Sequence, residues 1–204
     1  MKQFPSVIYK RFFQKSEQTK SFTLRTIAAI PEKIRIDDIT LAGNQNWNTE
    51  CNAETIIILP LAGGLQVRIT DQEKEVEIGQ MGTFSFPILT SLEINNPFKN
   101  EVVNFLVVRF SFQSANTTIS SLQMPYFTLN ERDYHLTIRQ FGNREEYKFL
   151  SEKIHPDLMV ICLAGAFEFE NRLIEDREGL HLTPTEPCEM ESLCEGSILL
   201  FIQY

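Results

Sequence analysis

The sequence predicts an all-β protein made of two barrels in tandem, on three observations. Apolar and polar residues alternate at period two over many short segments rich in β-branched and aromatic side chains. Turn residues separate those segments at close, regular spacing, the pattern of a sandwich or barrel. The order of segments also repeats: an apolar strand, a Leu-Ala-Gly turn and an alternating strand occur at Leu61-Ala62-Gly63 and again at Leu163-Ala164-Gly165, which points to a duplicated barrel unit.

In the first block Glu54–Pro60 reads as an apolar strand, followed by the turn Ala62-Gly63-Gly64 and the alternating strand Leu65–Ile69. Asp71-Gln72 makes the next turn, and Lys74–Ile78 alternates again before Gly79. Thr83–Phe86, Ser91–Ile94 and the long Val102–Phe112 complete the block. The second block runs through Leu158–Leu163, Ala166–Glu170, a turn at Asn171, then Gly179–Thr183, Cys188–Leu193 and Ser197–Ile202. Between them, 113–118 is polar and reads as a loop, and Glu145–Leu150 reads as a short helix. The expected domains are therefore 1–120 and 121–204, with the N-terminal segment free to pair with the second.

Composition narrows the function classes. The 204 residues are 43% hydrophobic and 23% charged, with a formal charge of −8, which is the balance of a folded domain with a sizeable core. An acidic chain of this kind does not suit nucleic-acid binding, whose phosphate contacts need a basic surface. No apolar run reaches the roughly 18 residues of a membrane span, and the first residues lack the apolar region of a secretory leader, so a cytoplasmic protein without membrane contact is expected. Cys51, Cys162, Cys188 and Cys194 form no C-x-x-C pair and read as reduced, structural thiols. Lysine and arginine gather near the N-terminus (Lys10, Arg11, Lys15), and glutamates crowd the last forty or so residues. The faces are either simply solvated, or the basic arm packs on the acidic domain.

Specific residues point to a family. Asn48-Thr-Glu-Cys-Asn-Ala-Glu54 runs into the apolar strand and Gly turn, Gly79-Gln80 makes a later turn, and Leu92-Glu93-Ile94 is followed by Asn95-Asn96. This order resembles the pirin and quercetinase-like bicupins from about Phe22 to Tyr204. Tyr126–Leu129 resembles their inter-barrel connection, and Gly165 through Ile202 their second barrel. The resemblance implies two cupin-type barrels, a bicupin of double-stranded β-helices. In that family His-x-His-x-x-x-Glu and a later His-Ser-Glu supply the metal ligands, and the metal opens flavonols such as quercetin. The corresponding positions here are Asn48, Glu50, Leu92 and Ile94, with no histidine among them. Two of the four offer no lone pair, so no metal, no cofactor and no dioxygenase activity are expected.

Residues two apart on a strand share a face, so Asn48, Glu50, Asn52 and Glu54 point one way and Leu92 and Ile94 share another face. In a closed barrel the resemblance brings these faces together as a pocket without its metal. Glu50 and Glu54 then share a proton, accept bonds from Asn48 or Asn52, or meet a basic group such as Arg109. The other reading leaves Glu50 in water on an exposed loop. His135, His155 and His181 have no histidine at i+2 or i+4, hence no metal spacing. They read as structural or surface residues, with His181 as an alternative pocket residue. Trp47, the only tryptophan, reads as core packing or as a wall of the barrel mouth.

The leading expectation is a non-catalytic bicupin that binds a small molecule or a protein partner, in a regulatory role. The alternative is an enzyme, either with Glu50 and Glu54 as acid and base or with a metal held atypically through Asn48, Glu50 and Glu54 and quercetin 2,3-dioxygenase-like activity. A third reading is an interaction module using the second barrel's exposed face. An oligomer is compatible with all three.

Overall fold

A computed structural model describes residues 5–113, 117–150 and 154–204. In chain order the strands of the N-terminal part are β1 (Ser6–Tyr9), β2 (Lys15–Gln18), β3 (Phe22–Ile30), β4 (Ile34–Leu41), β5 (Asn46–Cys51), β6 (Glu54–Ala62) and β7 (Leu65–Ile69). Next come β8 (Gln72–Val76), β9 (Gln80–Phe86), β10 (Thr90–Asn95), β11 (Val103–Phe110), β12 (Thr118–Ser121), β13 (Tyr126–Asn130) and β14 (His135–Phe141). The last are β15 (Glu146–Phe149), β16 (Leu158–Ala164), β17 (Ala166–Phe169), β18 (Arg172–Glu175), β19 (Gly179–Leu182), β20 (Cys188–Ser192) and β21 (Ser197–Gln203). A single 3₁₀ turn, Arg11–Phe13, is the one helical element among the described residues. Among them no helix is long and apolar enough to cross a membrane.

The chain divides into two compact units. One is Gln14–Leu122; the other joins the segment ending at Phe13 to Gln123–Tyr204. The boundary expected after residue 120 thus falls after Leu122, and the N-terminal segment, expected to be free to pair with the second barrel, belongs to the second unit. Its pairing explains why. β1 lies antiparallel to β19, from Ser6 opposite Leu182 to Tyr9 opposite Gly179. Lys10 then donates to the Glu178 carboxylate at 2.6 Å and to the Leu173 carbonyl at 2.7 Å. Basic and acidic ends of the sequence therefore meet within this unit.

In the first unit a seven-stranded sheet, β12-β9-β6-β11-β4-β3-β2, faces a four-stranded sheet, β5-β10-β7-β8. Alternation decides which side chains lie between them. Leu65 and Val67 of β7 are buried while Arg68 between strands points out, where it pairs with Glu73 and Glu93 on the neighbouring strands. The core joins Ile56 and Ile58 of β6, Leu92 and Ile94 of β10, and Val103, Phe105 and Val107 of β11. Burial of each such side chain contributes about 1.5–3 kcal/mol. Ile57 and Leu59 on the opposite face of β6 are also buried, which accounts for its unbroken apolar run.

The second unit repeats the plan: a six-stranded sheet, β1-β19-β16-β21-β14-β13, faces β15-β20-β17-β18. Its core is more aromatic, with Phe141, Phe149, Phe167, Phe169 and Phe201 all buried. The duplication reaches the backbone. In β6, Leu61 bulges out between Pro60 and Ala62, which pair with Phe105 and Asn104. In β16, Leu163 bulges out between Cys162 and Ala164, which pair with Leu199 and Ile198. Each bulge runs into a glycine at positive φ, Gly63 at 77° and Gly165 at 85°.

Two local expectations change. Glu145–Leu150 is not a helix: Glu146–Phe149 is a strand paired with β20, with Tyr147 and Phe149 directed at the core and Lys148 opposite Glu189. In the polar stretch 113–118, Thr118 already starts β12, while 114–116 lie outside the described residues, as do residues 1–4 on which the leader reading falls.

Candidate functional site

One end of the first barrel gathers polar side chains on the inward face. Arg109 is the last inward residue of β11 before Phe110, following fully buried Val103, Phe105 and Val107. Its Nη1 lies 3.5 Å from Glu54 Oε1 and its Nη2 donates to Thr49 Oγ1 at 2.8 Å. The guanidinium carbon sits 5.6 Å from the centre of the Trp47 ring. Arg109 and Glu54 side chains are each 16% exposed, so water only partly screens the pair. Glu54 also accepts from the Asn52 backbone N–H at 3.2 Å. Burial pushes the neighbouring Cys51 thiol up to about 12, with Arg109 acting against that shift and Glu54 with it.

A second ion pair lies beside the first. Arg35 is the register partner of Arg109 on β4, and side chains opposite one another in an antiparallel pair share a face. Arg35 Nε donates to both oxygens of Asp37, at 3.0 and 2.8 Å, and Thr26 Oγ1 donates to Asp37 Oδ1 at 2.8 Å. Asp37 is 1% exposed, yet its carboxylate is satisfied on both oxygens. Sequence reasoning missed Arg35, Asp37, Thr26 and Thr49. The signal available was a charge alternation, Arg35-Ile36-Asp37, near the head of β4.

The sequence-derived pocket set is brought together only in part. Leu92 and Ile94 are fully buried in the barrel core. Their register partners on β5 are Thr49 and Trp47, so those residues, with Cys51, are the inward ones. Asn48 and Glu50 are opposite Glu93 and Ser91 and are exposed on the outer face; Asn52 is exposed as well. The expectation that Asn48, Glu50, Asn52 and Glu54 line one face is corrected here. The residue before Glu54, Ala53, sits at φ 52°, and this break in the strand resets the alternation between Cys51 and Glu54. Glu50 and Glu54 consequently do not converge as an acid–base pair. Among the described residues no three His, Cys, Asp or Glu side chains are placed to hold a metal ion.

The histidines lie in the second unit. The rings of His135 and His155 meet edge to face at 4.8 Å, and His155 is buried rather than at the surface. His181 Nε2 is 3.4 Å from Asp157. A groove of about 530 Å³ there is lined by Tyr126, Arg139, Gln140, Glu145 and Glu195. Arg139 is held in it by Glu145 at 2.8 Å and lies over the Tyr147 ring at 4.1 Å. A second groove of the same volume is acidic, lined by Glu146, Glu168, Glu170, Glu189 and Glu191 around Lys148.

No family model matches the sequence, and no curated protein does. Solved structures do. The chain superposes on the bacterial pirin YhhW of Escherichia coli, solved in complex with nickel(II), with a TM-score of 0.84 at 11% identity over 98% of this chain and 99% of that one. AerE of Microcystis aeruginosa gives 0.75 at 13% identity, covering 93% and 96% of the two chains. A mutant of the Bacillus subtilis oxalate decarboxylase OxdC gives 0.71 at 12% identity, covering 100% and 77%. The fold is all-β with two cupin-type barrels in one chain, a bicupin of pirin-like architecture.

Proposed function

We propose that this chain is a pirin-like bicupin without a competent metal site, which acts in the cytoplasm by binding a small molecule or a protein partner rather than by dioxygenase chemistry. The observation that supports this reading is the Arg109 guanidinium, fixed by Glu54 and Thr49 on the inward face of the first barrel. The donors around it do not fit a transition metal. Such an ion asks for neutral imidazoles with at most a carboxylate added, whereas β5 and β10 present Trp47, Thr49, Cys51, Leu92 and Ile94 inward. Of these only the Cys51 thiol can ligate strongly, and only after losing a proton that burial makes it hold to about pH 12. The Glu54 carboxylate is already engaged by Arg109, and the neighbouring Asp37 carboxylate by Arg35, fixed positive charges that also repel a dication.

Incubating the protein with Fe²⁺, Ni²⁺, Cu²⁺ and Zn²⁺ in turn, desalting it and measuring metal by elemental analysis tests this directly. Retention far below one ion per chain is expected for each. One tightly held ion per chain overturns the proposal.

A further inference from the structure

The mouth of the first barrel carries more donor capacity than the protein spends. A guanidinium has five N–H groups. Among the described residues Arg109 directs one to Glu54 and one to Thr49, while Arg35 directs its Nε–H to Asp37 and one Nη2 N–H to Thr26. Each side chain is left with N–H groups that have no acceptor in those bonds. Both project to one face from register-paired positions. The Arg109 side chain is mostly buried, yet none of its nitrogens is a buried atom lacking a partner, so the spare N–H groups are capacity for a ligand rather than a strain on the fold. The corresponding positions of the second barrel differ: Arg109 follows the first residue of β11 by the same interval as Gln203 follows the first residue of β21, and the β14 partner of Gln203 is His135.

An apolar connection lies at the same end of the barrel. β9 ends with Phe86 beside Glu54, and β10 begins with Thr90 beside Cys51. The connection between them therefore lies at the same end of the barrel, and it carries Ile88 and Leu89 at 70% and 64% exposure.

From this juxtaposition we infer that the first-barrel mouth binds a small monocarboxylate with an aliphatic body, its carboxylate on Arg109 and Arg35 and its chain against Ile88 and Leu89. The fork of a guanidinium matches a planar carboxylate in a bidentate way. Glu54 and Asp37 already balance the two guanidinium charges, so a singly charged ligand is tolerated better than a phosphate dianion. The inference rests on the binding reading above and gives it a ligand class.

Trp47 is the only tryptophan and lies against Arg109, so its fluorescence reports on the site. The experiment titrates the full chain with hexanoate, with neutral hexanamide and with inorganic phosphate. A saturable change with hexanoate alone is expected, weakened at least tenfold in Arg109→Lys and in Arg35→Lys, which keep the charge but lose the fork. Half-exposed Arg35 keeps the test open if the Arg109 variant does not fold. Equal responses to hexanoate and hexanamide, saturation by phosphate in place of hexanoate, wild-type affinity in both variants, or saturation with none of the three would each overturn it. Metal-free protein that ignores hexanoate defeats this inference alone; stoichiometric metal defeats the binding reading beneath it.

Discussion

Arg109 leaves a strand whose other inward residues, Val103, Phe105 and Val107, are wholly buried, and it ends among a carboxylate, a hydroxyl and an indole ring. Replacing it with methionine keeps the bulk but strands Glu54 at 16% exposure without its counter-charge. Equilibrium urea unfolding of Arg109→Met should show a loss of about 2 kcal/mol, less than a fully buried pair would give because some water reaches this one. The double variant Arg109→Met, Glu54→Gln should recover part of that loss. The cysteines give a second residue-level test. Cys51, Cys162 and Cys188 are buried and Cys194 is exposed. Iodoacetamide at pH 8 should add one label to the native protein and four to the denatured chain, counted by mass spectrometry. At this scale the sequence is legible where a strand runs unbroken: Leu92 and Ile94 keep strict alternation. It is not legible across Asn52-Ala53, where a positive φ breaks the strand, so parity counted back from Glu54 puts Asn48 and Glu50 on the wrong face.

The repeated Leu-Ala-Gly turn is legible as three letters, yet its physical content is a bulge followed by a left-handed glycine, found at the same place in β6 and β16. At Gly63 an added Cβ would lie 2.6 Å from Val103 Cγ1, and at Gly165 it would meet the Ser197 side chain. Val103 and Ser197 each begin the strand that follows the crossover, so the two turns are constrained in the same way. Gly63→Ala should destabilise the protein by about 1–3 kcal/mol in urea unfolding, through both the positive φ and the contact with Val103. Gly79→Ala, at φ 80° with nothing near its Cβ, should cost less. The strand β15 shows the opposite case. Glu145–Leu150 is composed largely of good helix formers, and only pairing with β20 and burial of Tyr147 and Phe149 make it extended. Tertiary context of that kind is invisible in a local window.

For the whole molecule, duplication explains why the fold was readable in the sequence: each barrel repeats the same strand order around its own core. For the N-terminal segment the sequence allowed pairing with the second barrel but not its register, because β1 finds its partner β19 some 170 residues away. Stability should also depend on alkaline pH in a defined direction. Burial raises the Cys51 and Cys188 thiols from 9.0 to about 12, so the folded chain keeps protons that the unfolded chain releases. Their contribution is intact below pH 9 and is lost as pH climbs from there toward 12. Thermal melts should show Tm level up to pH 8 and falling beyond pH 9, with a shallower fall in Cys51→Ala. The central claim concerns what fills the first barrel, and nickel-soaked crystals with anomalous diffraction recorded at the nickel edge test it most directly. The proposal predicts no anomalous peak near Thr49 and Glu54, with Arg109 in place on Glu54. A strong peak there, with the guanidinium swung aside, would contradict it.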